Sequence, residues 1–179
     1  MDVNKIENMK EISKMNSNFI NRYKGELKDE WYTPVDIVFK MLKEFPPNKG
    51  DTIICPFDTA ASNFVKILKN QGYHVIYGVM DFLEKDYEFD YLITNPPFSI
   101  KDEVIDRCVE MGKPSVLVIP VDALGGVKRH KSYAKTKIGV YVPTRRINYI
   151  SLDGKQKKSV AHHSIFIKLN HYDNTIQFE

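Results

Sequence analysis

The stretch from Leu92 to Ile100, LITNPPFSI, sets a short apolar run against an amide, two prolines and an aromatic ring. Proline donates no backbone N–H and fixes φ, so Pro96-Pro97 ends a central strand rather than continuing its ladder. Asn95 therefore stands at the rim of a sheet, carrying both an acceptor and a donor, with the ring of Phe98 close behind it. Other residues able to do chemistry fall in similar places. Pro56, Phe57 and Asp58 follow the apolar TIIC, Asp81 and Phe82 follow HVIYGV, and Pro120 closes SVLVIP. The stretch VKRHKSYAKTK then gathers Lys128, Arg129, Lys131, Lys135 and Lys137, and Lys155, Lys157 and Lys158 form a second group. Such charges can hold phosphates. His162 and His163 have no cysteine or carboxylate at metal-ligand spacing, so no metal is expected. Cys55 and Cys108 sit in apolar surroundings and read as small buried hydrophobes of a reducing, cytoplasmic setting.

The elements that must hold these residues are legible from periodicity. In WYTPVDIVFKMLKEF, Thr33 suits a helix cap, Pro34 a first position and Asp36 a capping box, with Val35, Val38, Met41, Leu42 and Phe45 on one face. SNFVKILKNQG reads as a second helix, capped by Ser62 and ended by Gly72. Ser99 and Asp102 open a third, which Gly112 closes. TIIC, HVIYGV, DYLIT and SVLVIP are the strands between. Strands alternating with helices at these lengths predict parallel βαβ units, hence an open, Rossmann-like α/β sheet whose ligands gather beyond the carboxyl ends of the strands. RINYISLDG and SVAHHSIFIKL bracket Asp153-Gly154, a turn signal, and predict an antiparallel hairpin at the C-terminal end.

At 179 residues, 42% hydrophobic and 27% charged, the chain suits one domain with a sizeable core. Residues 1–25, polar and rich in Asn and Lys, read as a short amphipathic helix or arm, and 26–179 as the domain. No run is long enough to span a bilayer, and MDVNKIENMK lacks a signal-peptide core. A net charge of +3 permits a polyanionic partner without demanding one.

Asn95-Pro96-Pro97-Phe98 after an apolar strand resembles the catalytic signature of S-adenosylmethionine-dependent amino methyltransferases, with the Phe ending typical of adenine-N6 enzymes. Asp29-Glu30-Trp31-Tyr32-Thr33-Pro34 resembles the opening motif of small phage and prophage DNA adenine methyltransferases. Cys55-Pro56-Phe57-Asp58 stands where that family has its cofactor loop, and Asp81-Phe82 resembles the pair that holds the cofactor's adenine. Arg146-Ile147-Asn148 and the hairpin match its last two strands. The likeness spans roughly residues 27 to 170.

It implies a class I methyltransferase fold and methyl transfer from S-adenosylmethionine to the N6 amine of adenine in DNA. Asn95, Pro96, Pro97 and Phe98 would be catalytic. Trp31, Thr33, Pro34, Pro56, Phe57, Asp58, Asp81 and Phe82 would bind the cofactor, and the Lys128–Lys137 cluster the nucleic acid. Asn95 Oδ1 and the Pro96 carbonyl would accept the two amine N–H bonds, while Phe98 stacks on a base turned out of its duplex. There is no room for a separate target-recognition domain, so specificity would be short, or supplied by a partner protein or a second copy.

Two features depart from the family. CPFDTAASNF contains no glycine, and HVIYGVMDF offers Tyr77 and Gly78 at the strand end where a ribose-binding carboxylate is usual. Either Asp58 or Asp81 covers the ribose, or cofactor affinity is weak, or the chain is a scaffold that binds nucleic acid or a host protein without turnover. RNA adenine and protein glutamine are alternative substrates under the same Asn-Pro-Pro logic.

Overall fold

The computed structural model describes residues 31–78, 80–151 and 157–179. The expected N-terminal arm, Asp29-Glu30 of the opening motif and the Asp153-Gly154 turn lie outside the described residues.

The strands are short, apolar on both faces and joined by amphipathic helices, which selects a sheet covered on both sides. In chain order the elements are β1 (Trp31–Tyr32), α1 (Val35–Glu44), β2 (Thr52–Cys55), α2 (Asn63–Asn70), β3 (His74–Tyr77), β4 (Tyr91–Thr94), α3 (Lys101–Met111), β5 (Ser115–Pro120), α4 (Val127–Tyr133), β6 (Ile138–Val142), β7 (Asn148–Ser151), β8 (Lys157–Ser159), β9 (Ser164–Leu169) and β10 (Thr175–Phe178). Residues 31–179 cluster as one unit.

The main sheet has seven strands in the order β10-β6-β9-β5-β4-β2-β3. β3, β2, β4 and β5 run parallel, β9 is antiparallel between β5 and β6, and β10 lies parallel to β6. Side chains alternate across this sheet. Ile53, Cys55, Ile93, Val116 and Val118 pack with Val38, Met41 and Phe45 of α1 and its end, and with Phe64, Val65 and Leu68 of α2. Ile54, Leu92, Leu117, Ile119, Ile165 and Ile167 pack with Val104, Ile105 and Cys108 of α3. The result is the expected Rossmann-like α/β fold with a mostly parallel sheet.

Local details differ from the sequence reading. α1 starts at Val35, with Pro34 at its N-cap and no side-chain cap bond. The Thr33 carbonyl instead accepts from Asn63 Nδ2 at 2.8 Å, so the residue is tied to α2 rather than turned to cap α1. Val35 is 48% exposed and drops off the packed face. Ser99 does not cap α3, whose N-cap is Ile100, and Asp102 binds Arg129 instead. The antiparallel pairing around residues 153–154 is present as β7–β8, and with β1 it forms a separate three-stranded sheet. SIFIKL does not join β7. It is buried at five of six positions, which suits the middle of the main sheet, where it bonds β5 and β6.

Candidate active site

Three of the singled-out groups lie past the carboxyl ends of parallel strands: Pro56 to Asp58 after β2, Asp81-Phe82 after β3, Asn95 to Phe98 after β4. Because β2 separates β3 from β4, the β2 loop stands between the other two. Sheet topology thus assembles on one edge what the chain spreads over more than forty positions.

Asn95 is partly buried and follows the fully buried Thr94. Its Oδ1 is shielded from solvent and has no hydrogen-bond partner among the described residues. A buried acceptor left open in this way costs about 1–3 kcal/mol, so it is expected where a ligand completes it. Pro96 is buried, and Phe98 begins a short 3-10 turn that runs into α3. The Phe98 ring meets Tyr149 of β7 at 6.4 Å between centroids and His162 at 5.0 Å, both edge to face. Tyr149 is in turn fixed by a 3.2 Å hydrogen bond shared with Ser164.

Next to Asn95 along the sheet edge stands Asp58. Ser62 Oγ donates to its Oδ1 at 2.6 Å, and Thr94 Oγ1 donates to its Oδ2 at 2.7 Å. The carboxylate therefore bolts the β2 loop both to the start of α2 and to the residue immediately before Asn95. Burial pushes its pKa up to about 6, against the opposing pull of the two hydroxyls. The Asp58 carbonyl accepts from the Gly78 amide at 2.9 Å, tying in the end of β3 as well. Gly78 has φ 126, a conformation that favours glycine, and a Cβ there would meet only open space.

Phe57 is partly buried and packs edge to face on Phe82 at 5.7 Å. Phe82 is 1% exposed, so its ring belongs to the core and Phe57 is the ring nearer solvent. Asp81 is partly exposed beside it. Pro56 is buried, and Tyr32 shares a 3.3 Å hydrogen bond with Thr59. Thr33 Oγ1 is buried and unpartnered among the described residues, a second open polar atom on this edge. Trp31 pairs with Ser151 through its backbone, and Pro34 is partly buried at the start of α1.

Cys55 and Cys108 are fully buried free thiols. Burial raises both pKa values, that of Cys108 to about 12, so neither is a ready nucleophile. No cluster of metal-ligating side chains is present among the described residues.

In the basic stretch, Arg129 Nε donates to Asp102 at 2.8 Å, and its Nη1 donates to the carbonyls of Asp122 and Gly125. Arg129 is thus a strut between α4, α3 and the loop after β5. Lys128 lies 3.6 Å from Asp106, while Lys131, Lys135 and Lys137 are exposed. A hollow of about 330 Å³ lined by Thr52, Glu88, Phe89, Asp90 and Lys113 sits at the opposite, amino-terminal edge of the strands, away from these groups.

Sequence reasoning missed Thr94 as a partner of Asp58, and missed Tyr149 and His162 as neighbours of Phe98. Thr94 carries a weak signal, a hydroxyl at the last position of a buried strand. His162 carries none, because its contact is set by where β9 enters the sheet.

The fold has counterparts among solved structures. The chain superposes on a modification subunit of a candidate type I restriction enzyme from Vibrio vulnificus with TM-score 0.52 and 12% identity, over 86% of this chain and 47% of that one. It also superposes on a candidate RNA methyltransferase from Pyrococcus horikoshii with TM-score 0.50 and 12% identity, over 94% of this chain and 97% of that one. At such identity the likeness is one of fold, and the chain spans about half the length of the restriction subunit. No protein-family profile and no curated protein sequence matches the chain.

Proposed function

We infer that this chain transfers a methyl group from S-adenosylmethionine to the exocyclic N6 amine of adenine in DNA. The observation that carries the reading is the buried Oδ1 of Asn95, unpartnered among the described residues, at the carboxyl end of β4 and followed by a rigid Pro-Pro backbone. The fold likeness to a candidate RNA methyltransferase and the residues of this edge support the cofactor assignment.

When bound, S-adenosylmethionine supplies a methyl carbon on a sulfonium, a strong electrophile. The residues of this edge fit such a group: Thr33 Oγ1 is an open polar atom, Phe57 an accessible ring and Asp81 a carboxylate near solvent. Asp58 is not the ribose ligand in this reading, because both of its oxygens hold other residues. Its part is to keep Thr94, and so Asn95, in register with the cofactor loop.

The amine of adenine is a poor nucleophile because its lone pair is delocalised into the ring. Asn95 Oδ1 and the Pro96 carbonyl accept its two N–H bonds and draw the nitrogen toward tetrahedral geometry. The lone pair then points away from the ring plane. The bound donor would supply the methyl carbon and leave as its thioether, S-adenosylhomocysteine, and the extra proton of the methylated amine, held toward Asn95 Oδ1 and the Pro96 carbonyl, would pass to water. No strong base is needed beforehand. Preorganised acceptors of this kind act without reorganising during the reaction, and the rest of the rate comes from positioning. Phe98 contacts the base, which must leave its duplex to be reached.

The test is incubation with S-adenosylmethionine and unmodified plasmid DNA, RNA or cell protein, followed by nucleoside and peptide analysis. N6-methyladenine in the DNA arm is expected. Methylation confined to RNA or to glutamine would move the substrate. No transfer in any arm, together with no cofactor binding by calorimetry, would overturn the reading in favour of a binding scaffold.

A further inference from the structure

Beside Phe98 lies another open polar atom, on a residue to which the methyl-transfer mechanism gives no part. His162 Nε2 is buried and unpartnered among the described residues, like Asn95 Oδ1, and its ring packs at 5.0 Å and 70° on Phe98. We propose that His162 is a substrate-contacting residue whose Nε2–H donates a hydrogen bond to the purine ring nitrogen flanking the amine, N1 or N7. The proposal rests on the adenine reading of the Asn95 site.

Three observations support it. First, the chain beside the ring is anchored. His163 donates to the Pro143 carbonyl at 2.6 Å, and the His163 carbonyl accepts from Val121 N at 2.8 Å. The residue next to His162 is thus anchored on both its side chain and its backbone, while the His162 ring itself packs on Phe98. Second, the open atoms complement each other. Asn95 offers an acceptor, which matches an amine N–H, while adenine also presents ring nitrogens that need a donor. An Asn-Pro acceptor pair alone leaves those nitrogens without a partner. Third, the surroundings of the imidazole favour its neutral form. Burial lowers its pKa, and the charges of Arg146 and Lys101 act in the same direction against Asp122. A neutral ring keeps one N–H and adds no charge to repel the positive charge that develops on the nitrogen.

The experiment is a binding cycle that uses no turnover. The dissociation constant of a short oligodeoxyadenylate is measured by anisotropy for the wild type, His162→Phe and His162→Asn, with S-adenosylhomocysteine present. Each measurement is repeated with oligonucleotides carrying 1-deazaadenine or 7-deazaadenine. His162→Phe should weaken the adenine oligonucleotide about tenfold, the usual size of one hydrogen bond. His162→Asn, which keeps a donor, should recover part of the loss and guards against a misfolded Phe variant. One of the deaza oligonucleotides should bind the wild type about tenfold more weakly and His162→Phe no worse than adenine does. Unchanged affinity in His162→Phe, or losses that simply multiply for both deaza oligonucleotides, would overturn the inference. Wild-type binding with the expected cycle but no methyl transfer would sink the enzymatic reading alone. Transfer accompanied by multiplying losses would sink this inference alone, and absence of any oligonucleotide binding would sink both.

Discussion

Asn95 and Asp58 sit side by side at the sheet edge with opposite hydrogen-bond patterns. One leaves its oxygen open, and the other has both oxygens filled. Truncating the first should therefore remove chemistry without disturbing structure: Asn95→Ala is expected to lose methyl transfer by a factor of at least about a hundred. Cofactor affinity should stay within about twofold, as calorimetry would check. Asp58 behaves differently because its folded pKa, about 6, lies above the ordinary 3.8. The folded state therefore holds the proton more tightly than the unfolded chain. That contribution is fully present below the unfolded value and is lost as pH rises through the folded one. Each tenfold difference in proton affinity is worth about 1.36 kcal/mol, so the stability difference between wild type and Asp58→Asn should fall by roughly 2 kcal/mol between about pH 4 and pH 7. Denaturant midpoints at the two pH values measure it, and a flat difference would mean that the carboxyl is solvated.

At the scale of elements, Ser62 has two roles. Its Oγ accepts from Phe64 N at the start of α2 and donates to Asp58. Ser62→Ala should cost about 1 kcal/mol as a cap, with a further loss from the bond to the carboxylate. Combined with Asp58→Asn, the two losses should fall short of their sum by about 1 kcal/mol, since the groups share one bond. In β6, Gly139 is pinned by a close approach: a Cβ there would lie 2.8 Å from His171 Cδ2 and 3.0 Å from Phe45 Cε1. Gly139→Ala should lower the unfolding free energy by about 1–3 kcal/mol, because two packed rings must move. The first three helices and the four parallel strands were readable from periodicity and from Ser62, Gly72 and Gly112. β1 has two residues and α4 seven, too few for a period to show, and α4 is masked by its own lysines.

For the whole molecule, the basic stretch after β5 divides into a structural part and a free part. Arg129 is used up by Asp102 and two carbonyls, whereas Lys131, Lys135 and Lys137 face solvent. If DNA lies along this face, replacing the three lysines by Ala should reduce the slope of log affinity against log salt by about two to three. Arg129→Ala should instead lower stability by about 1–3 kcal/mol, because Asp102 loses its charged partner, and should change the slope by about one at most. Anisotropy at several salt concentrations and chemical denaturation separate the two effects. No helix among the described residues is long and apolar enough to cross a membrane.

Local chemistry is written directly in the chain. A proline pair stops a strand, a serine starts a helix and an apolar run seeks the interior, so the α/β class and the strand-end position of Asn95 follow from residue types alone. Which groups then touch depends on strand order, since neighbours in a sheet are remote in sequence. That order brought Thr94 onto Asp58, sent SIFIKL between β5 and β6 rather than onto β7, and set His162 against Phe98. Pairing of this kind is settled by burial of both sheet faces at once, a collective energy that no single stretch carries.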